Sequence, residues 1–269
     1  MSVLLSIDGL TVSFGAVPVV NAVSLTLAAG EVLGLIGGSG SGKSTLGMAA
    51  LGLLDPAATI EAGSIALRGQ DLLLLTPAQR RALCGSTIAL IPQEPMSSLN
   101  PTLRIGHQLD LVLRCHGKGD ARARRTIAEE ALASVMIADP PRILASFPFQ
   151  LSGGQLQRVL IALAFALGPA LIIADEPTTA LDMSAQGAVL DLLASRARHD
   201  GTGVLLISHN LPLVRRYADQ VAVMRKGVIV ESGSAADILA APKRAYTAAL
   251  IAALPANAAP RTALPVAQV

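Results

Sequence analysis

Tryptophan is absent from the 269 residues, and tyrosine and cysteine occur twice each. Cys84 and Cys115 lack metal-ligand spacing, which argues against a disulfide framework or a zinc site and suits a reducing compartment. Charge is sparse as well, at 15% of residues with a formal net charge of +2. The one basic cluster, "KGDARARR" at residues 118–125, is followed by Glu129 and Glu130 at helical spacing. It reads as a solvated helix face with an Arg125/Glu129 pair, the alternative being a nucleic-acid or lipid-headgroup contact.

No apolar run is long enough to cross a bilayer, although hydrophobic residues make up 52% of the chain and mean hydropathy is +0.55. The longest candidate, "VLIALAFALGPALIIA" at residues 159–174, falls short of the roughly 18–20 apolar residues that a span needs. Gly168-Pro169 interrupts it where a helix would have to continue, so a buried helix followed by a buried strand is expected. The N-terminal "MSVLLSIDGL" has neither a basic flank nor a long apolar core, so no signal peptide is expected and the chain should stay in the cytoplasm. From Pro255 the Ala/Pro-rich "PANAAPRTALPVAQV" offers little to pack and is expected to be a loose tail.

What the chain does have is punctuated apolar segments. Strands are expected at residues 3–7, 11–14, 19–27 and 31–36, then a helix at 43–54 and strands at 64–67 and 87–91. Residues 101–150 read as a helical lobe. Further strands are expected at 171–174, 203–208, 221–224 and 227–231, the first two separated by a helix near 184–198. The alternation implies an α/β sheet, much of it parallel, with ligands at the carboxyl ends of strands.

The segment "GGSGSGKS" at residues 37–44 fits G-x-x-x-x-G-K-[ST] between an expected strand and an expected helix. Gly37, Gly38, Ser39, Gly40, Ser41 and Gly42 can curl so that several N–H groups point inward, and Lys43, Ser44 and Thr45 open the helix whose N-terminus favours anions. In such a loop the lysine reaches β- and γ-phosphates and the Ser44 hydroxyl can ligate Mg²⁺. "LIIADEP" ends an apolar strand in Asp175, placed to hold Mg²⁺ through water, and Glu176, placed to take a proton from an attacking water. "LSGGQLQR" puts Ser152, Gly153 and Gly154 before a helix with Gln155 in capping-box register, which creates a second anion-binding surface.

With these three elements the chain resembles the nucleotide-binding subunit of an ATP-binding cassette transporter, over nearly its whole length to Pro255. The implied fold is an α/β P-loop NTPase cassette whose mixed, mostly parallel sheet carries an N-terminal antiparallel β subdomain. A helical subdomain at about residues 100–165 is inserted within a nucleotide-binding domain of residues 1–255, and residues 256–269 form a flexible tail.

The resemblance implies ATP and Mg²⁺ as cofactors. It implies a head-to-tail dimer with a second ATPase subunit, in which Ser152 to Gln155 meet the partner's γ-phosphate. It assigns Gln93 of "IPQEP" to sensing Mg²⁺ and the attacking water, Asp182 of "TTALD" to the opposite subunit, His209 of "LLISHN" to the γ-phosphate, and Phe14 to stacking on adenine, with a core role for Phe14 as the alternative. "IPQEPMSSLNP", "FPFQLSGGQLQR" and "YTAALIAALP" resemble the peptide and nickel importer group. That group implies two permease subunits, an extracytoplasmic substrate-binding protein met indirectly, no nucleic acid, and a peripheral site on the cytoplasmic face of the inner membrane.

Two departures stand out: no cysteine follows Cys115, so no iron–sulfur cluster is expected, and Gly38 stands where peptide members often carry glutamate. Peptide is the expected cargo, with nickel or a metal chelate as the alternative. A soluble non-transport cassette ATPase and a small-molecule P-loop kinase are the competing classes; the kinase leaves Ser152, the two glycines and His209 unexplained.

Overall fold

The computed structural model describes residues 2–178, 181 and 183–253, with only the backbone described at 183 and 184. Asp182 and the expected tail at 256–269 lie outside the described residues.

Five apolar segments form parallel strands at the centre of the molecule: β3 (Val32–Ile36), β6 (Ile88–Ile91), β7 (Leu171–Asp175), β8 (Gly203–Ile207) and β9 (Gln220–Arg225). With β10 (Val228–Ser234) they make one sheet in the order β10-β9-β3-β8-β7-β6, in which only the β9–β10 hairpin is antiparallel. Every residue of β3, β7 and β8 is buried, the pattern of parallel strands covered on both faces. Alternate residues therefore serve different cores. Ile172 and Leu206 pack with the helices on one face, whereas Ile173 and Leu205 pack with a second sheet on the other.

That second sheet is antiparallel, in the order β2-β1-β4-β5, from β1 (Val3–Phe14), β2 (Val17–Ala28), β4 (Ala58–Leu67) and β5 (Gln70–Asp71). The two strands expected before residue 15 are one strand, β1. Its alternation is broken by a register shift between Ile7 and Leu10, where Gly9 takes φ +56°. β4 begins at Ala58 rather than Ser64: Ala58, Ile60 and Ala62 alternate with polar residues but are at most partly buried, and Gly63 at φ +95° shifts the phase before Ile65 and Leu67.

Helix α1 (Lys43–Leu51) stops three residues short of the expected end, since Gly52 at φ +67° turns its N–H back to the Ala49 carbonyl. α2 (Pro77–Leu83) and α3 (Pro95–Ser98) are short and were not foreseen. The helical stretch resolves into α4 (Ile105–Cys115), α5 (Ala121–Ser134), α6 (Pro140–Ala145) and a 3-10 turn at Pro148–Gln150, followed by α7 (Gly153–Phe165). Ile105, Leu109 and Leu113 form a buried stripe at i, i+4 on α4, and Asp120 and Asp139 cap α5 and α6. The expected Arg125–Glu129 pair forms on the exposed face of α5 at 2.9 Å.

α8 (Met183–Asp200) joins β7 to β8. α9 (Leu211–Tyr217) follows β8, and α10 (Ala235–Ala240) and α11 (Ala245–Ala252) follow β10. Residues 159–174 are, as expected, the end of a buried helix and a buried strand. No helix among the described residues is long and apolar enough to cross a membrane.

Candidate active site

Four adjacent parallel strands deliver the candidate residues to one edge of the sheet. β3 leads into the glycine loop, β8 into His209, β7 into Asp175 and Glu176, and β6 into Gln93. The spatial order is fixed by strand order, and the carboxyl ends of a parallel sheet are where ligands bind.

The loop before α1 is wedged against backbone. A Cβ at Gly37 would lie 2.1 Å from the Met224 carbonyl oxygen, and one at Gly42, whose φ is +99°, would lie 2.5 Å from the Val19 oxygen. Glycine at both positions is thus required by packing before any ligand is considered. Lys43 is only 8% exposed, and its ammonium donates to the carbonyls of Gly37 (3.0 Å) and Gly38 (2.9 Å) and to Ser41 Oγ (3.3 Å). Burial lowers its pKa, opposed by the nearby carboxylates of Glu176 and Asp175. These three contacts are all within the loop, so a bound polyanion offers the ammonium stronger partners than it now has.

Asp175 closes β7 and is buried, which raises its pKa; a hydrogen bond from Ser44 and the Lys43 charge oppose the rise, and Glu176 adds to it. Its Oδ1 is buried without a hydrogen-bond partner. A buried, unpartnered carboxylate oxygen beside the Ser44 hydroxyl is a hard, oxygen-only donor set that fits Mg²⁺. No cluster of three His, Cys, Asp or Glu able to hold a metal exists among the described residues.

Glu176 leaves the strand with φ +48°, a left-handed conformation that costs a non-glycine residue about 1–3 kcal/mol. Its N–H still donates to the Ile207 carbonyl at 2.9 Å, so the residue stays anchored to β8. The carboxylate is clamped from both sides. Gln93 Nε2 donates to Oε2 and His209 Nδ1 lies on Oε1, each at 2.9 Å. Gln93 and His209 are expected here only through resemblance; the geometry brings both onto the Glu176 carboxylate.

The Ser152 turn stands elsewhere on the surface. Ser152 Oγ accepts from Gln155 N–H and the Gln155 side chain accepts from Ser152 N–H, the expected capping box at the start of α7. Ser152 and Gly153 are exposed, and the turn borders a groove of about 370 Å³ lined by Met136, Arg142 and Arg158 among others. Among the described residues no hydrogen bond joins this turn to the glycine loop. Phe14 sits at the end of β1 with 36% of its surface exposed, which excludes the core role. One residue escaped sequence reasoning: the Tyr246 hydroxyl on α11 accepts the Gly38 N–H at 3.0 Å, a contact across 208 residues that no local pattern signals.

Residues 20–179 match the family model described as ABC transporter. The chain belongs to the ABC transporter family. This cassette is 44% identical over 267 residues to the Escherichia coli (strain K12) protein named probable D,D-dipeptide transport ATP-binding protein DdpD, covering 97% of this chain and 81% of that one. It is 43% identical to the dipeptide transport ATP-binding protein DppD of Haemophilus influenzae, covering 94% and 78%. Among solved structures, the ATP-binding cassette MJ0796 in a dimeric post-hydrolysis state bound to ADP and Pi superposes with a TM-score of 0.77 at 26% identity, over 86% of this chain and 99% of that one. The cassette fold and its ATPase chemistry therefore hold for this chain.

Proposed function

We propose that this cassette is the ATP-hydrolysing subunit of an importer for di- or oligopeptides. The observation that carries the chemistry is the clamped Glu176 carboxylate, held by Gln93 and His209 at the sheet edge that also presents Lys43 and Asp175. On ATP binding, Lys43 exchanges its loop carbonyls for β- and γ-phosphate oxygens. Ser39, Gly40, Ser41, Gly42 and Thr45 cradle the phosphates with backbone N–H groups, and Phe14 stacks on adenine. Ser44, Asp175 and Gln93 are the residues that would hold Mg²⁺, which supplies charge neutralisation between the phosphates when bound. Glu176 accepts the proton of the attacking water, and His209 steadies the γ-phosphate and keeps Glu176 oriented.

Ser152, Gly153, Gly154 and Gln155 serve the nucleotide held by a second ATPase subunit, and Asp182 belongs to the same contact. We read residues 1–255 as one nucleotide-binding domain whose helices between about 100 and 165 form its inserted lobe. The cassette sits on the cytoplasmic membrane face under two permeases, supplied from outside by a binding protein. Peptide as cargo is supported by the names of the relatives above. Deleting the subunit and measuring uptake of labelled dipeptides, longer peptides and nickel in parallel tests the assignment. Loss of peptide uptake alone is expected; loss of nickel uptake with intact peptide uptake would replace it.

A further inference from the structure

The glycine loop is fastened by helix α11. Gly38 is held at both ends of its residue: its carbonyl accepts from Lys43 at 2.9 Å, and its N–H donates to the Tyr246 hydroxyl at 3.0 Å. Tyr246 is itself fixed. It is 8% exposed, the Arg225 guanidinium stands 4.8 Å over its ring, and neighbouring Thr247 is fully buried. Glu231 of β10 accepts the N–H groups of Lys243 (2.8 Å) and Arg244 (3.2 Å) and so pins the start of α11. The turn between β9 and β10 adds a second tie, Gly227 N–H to the Ser41 carbonyl at 3.0 Å.

We infer that Tyr246 is a positioning residue for nucleotide binding, in that its hydroxyl holds the phosphate loop open at Gly38 while Lys43 changes partners. The inference rests on the reading of this loop as the ATP site. When Lys43 moves to phosphate, the Gly37 and Gly38 carbonyls lose its ammonium, and the bonds from Tyr246 and Gly227 remain as fastenings of the loop. Without the tyrosine bond the free loop samples more conformations, and the apparent affinity falls in proportion to the fraction that can bind. Phenylalanine keeps the ring under Arg225 but leaves the Gly38 N–H without its acceptor.

The test uses the full chain carrying Tyr246→Phe, with ATP and ADP dissociation constants, KM and kcat, melting temperature, and amide exchange of the peptide containing Gly38. Loss of one neutral hydrogen bond should raise both dissociation constants and KM about 3- to 10-fold. Loop exchange should speed up, while kcat stays within about two-fold because Glu176, Gln93 and His209 are untouched. Wild-type affinity with wild-type loop exchange overturns the inference, as does a fall in kcat at unchanged KM or a lowered melting temperature with unchanged affinity. Lys43→Ala run in parallel separates two failures. If it loses ATP binding while Tyr246→Phe does not, the positioning role alone is wrong; if it too binds ATP normally, the loop is not the nucleotide site.

Discussion

The chain has two glycine-rich turns that open helices, and the fold treats them in opposite ways. The loop at residues 37–42 is enclosed: backbone carbonyls from Met224 and Val19 stand where side chains would go, Lys43 is buried, and Tyr246 and Gly227 tie it from outside. The turn at Ser152 is open. Its hydrogen bonds are its own cap, and the nearest neighbour of a Cβ at Gly154 would be Leu181 Cδ2 at 3.4 Å, an ordinary contact. Gly37 and Gly42 are demanded by this chain's own packing, whereas Gly154 is not. At Gly154 the fold leaves room beside the backbone, as the proposed half-site role requires.

The comparison is broken most severely at the enclosed site. Glu176→Gln keeps the side-chain shape and one oxygen but removes the proton acceptor, so ATP hydrolysis should fall roughly 100- to 10,000-fold while ATP still binds. Phosphate-release kinetics beside a nucleotide-binding assay measure both quantities. Turnover near wild type would place the base elsewhere and leave the two-sided clamp by Gln93 and His209 without a catalytic purpose. At the open turn, Ser152→Arg should leave nucleotide affinity of the monomer unchanged and abolish ATP-driven dimerisation. Light scattering in the Glu176→Gln background reads it, and unchanged dimerisation would sink the half-site reading.

Much of the enclosed site and of the open turn was legible because the residues of each motif are contiguous. The glycine loop with Lys43 and Ser44 is one word, Asp175 and Glu176 end one apolar run, and Ser152 with Gln155 is a local cap. Buried parallel strands such as β7 and β8 read as continuous apolar runs, so their carboxyl ends, and with them the site, could be located. Local pattern failed where a glycine shifts the phase of the alternation, as at Gly63 in β4, and where elements are short, as in β5, α2 and α3. It also failed for contacts that only tertiary structure creates. Gln93 lies 83 residues from Glu176 and Tyr246 lies 208 from Gly38, and spacing along the chain says nothing of either pairing.

Alanine at single glycines sharpens the contrast. Gly42→Ala forces a side chain onto φ +99° and against the Val19 oxygen, which should destabilise the apo protein by at least about 2 kcal/mol as well as weaken ATP binding. Gly154→Ala meets no clash within the first turn of α7 and gains helix propensity, so stability should stay within about 1 kcal/mol of wild type. Dimerisation with ATP should still weaken, because the added methyl covers backbone that a partner's nucleotide would approach. Chemical denaturation of both variants decides the first point. If Gly154→Ala destabilises as much as Gly42→Ala, the two turns are not different in kind.

The smallest effect concerns Asp175, and its sign is the useful part. Burial raises the Asp175 pKa in the folded protein, with the Ser44 hydrogen bond and Lys43 only partly opposing it. The unfolded chain therefore releases this proton at lower pH than the folded one. As pH rises from the ordinary aspartate value through the raised one, the folded state binds more protons than the unfolded state and loses stability relative to it. Asparagine has nearly the same shape and no charge to bury. Asp175→Asn should thus melt about 2–4 °C above wild type at neutral pH without nucleotide, the equivalent of roughly 1 kcal/mol in a domain of this size, and the gap should close toward acid pH. Adding ATP and Mg²⁺ should reverse the order, since stabilisation by a ligand follows its affinity and the variant lacks the negative charge and the second carboxyl oxygen proposed to help hold the cation. A variant that is less stable than wild type in the apo state at neutral pH would mean that Asp175 is already compensated within the fold. Its unpartnered Oδ1 would then no longer mark a place kept for a metal.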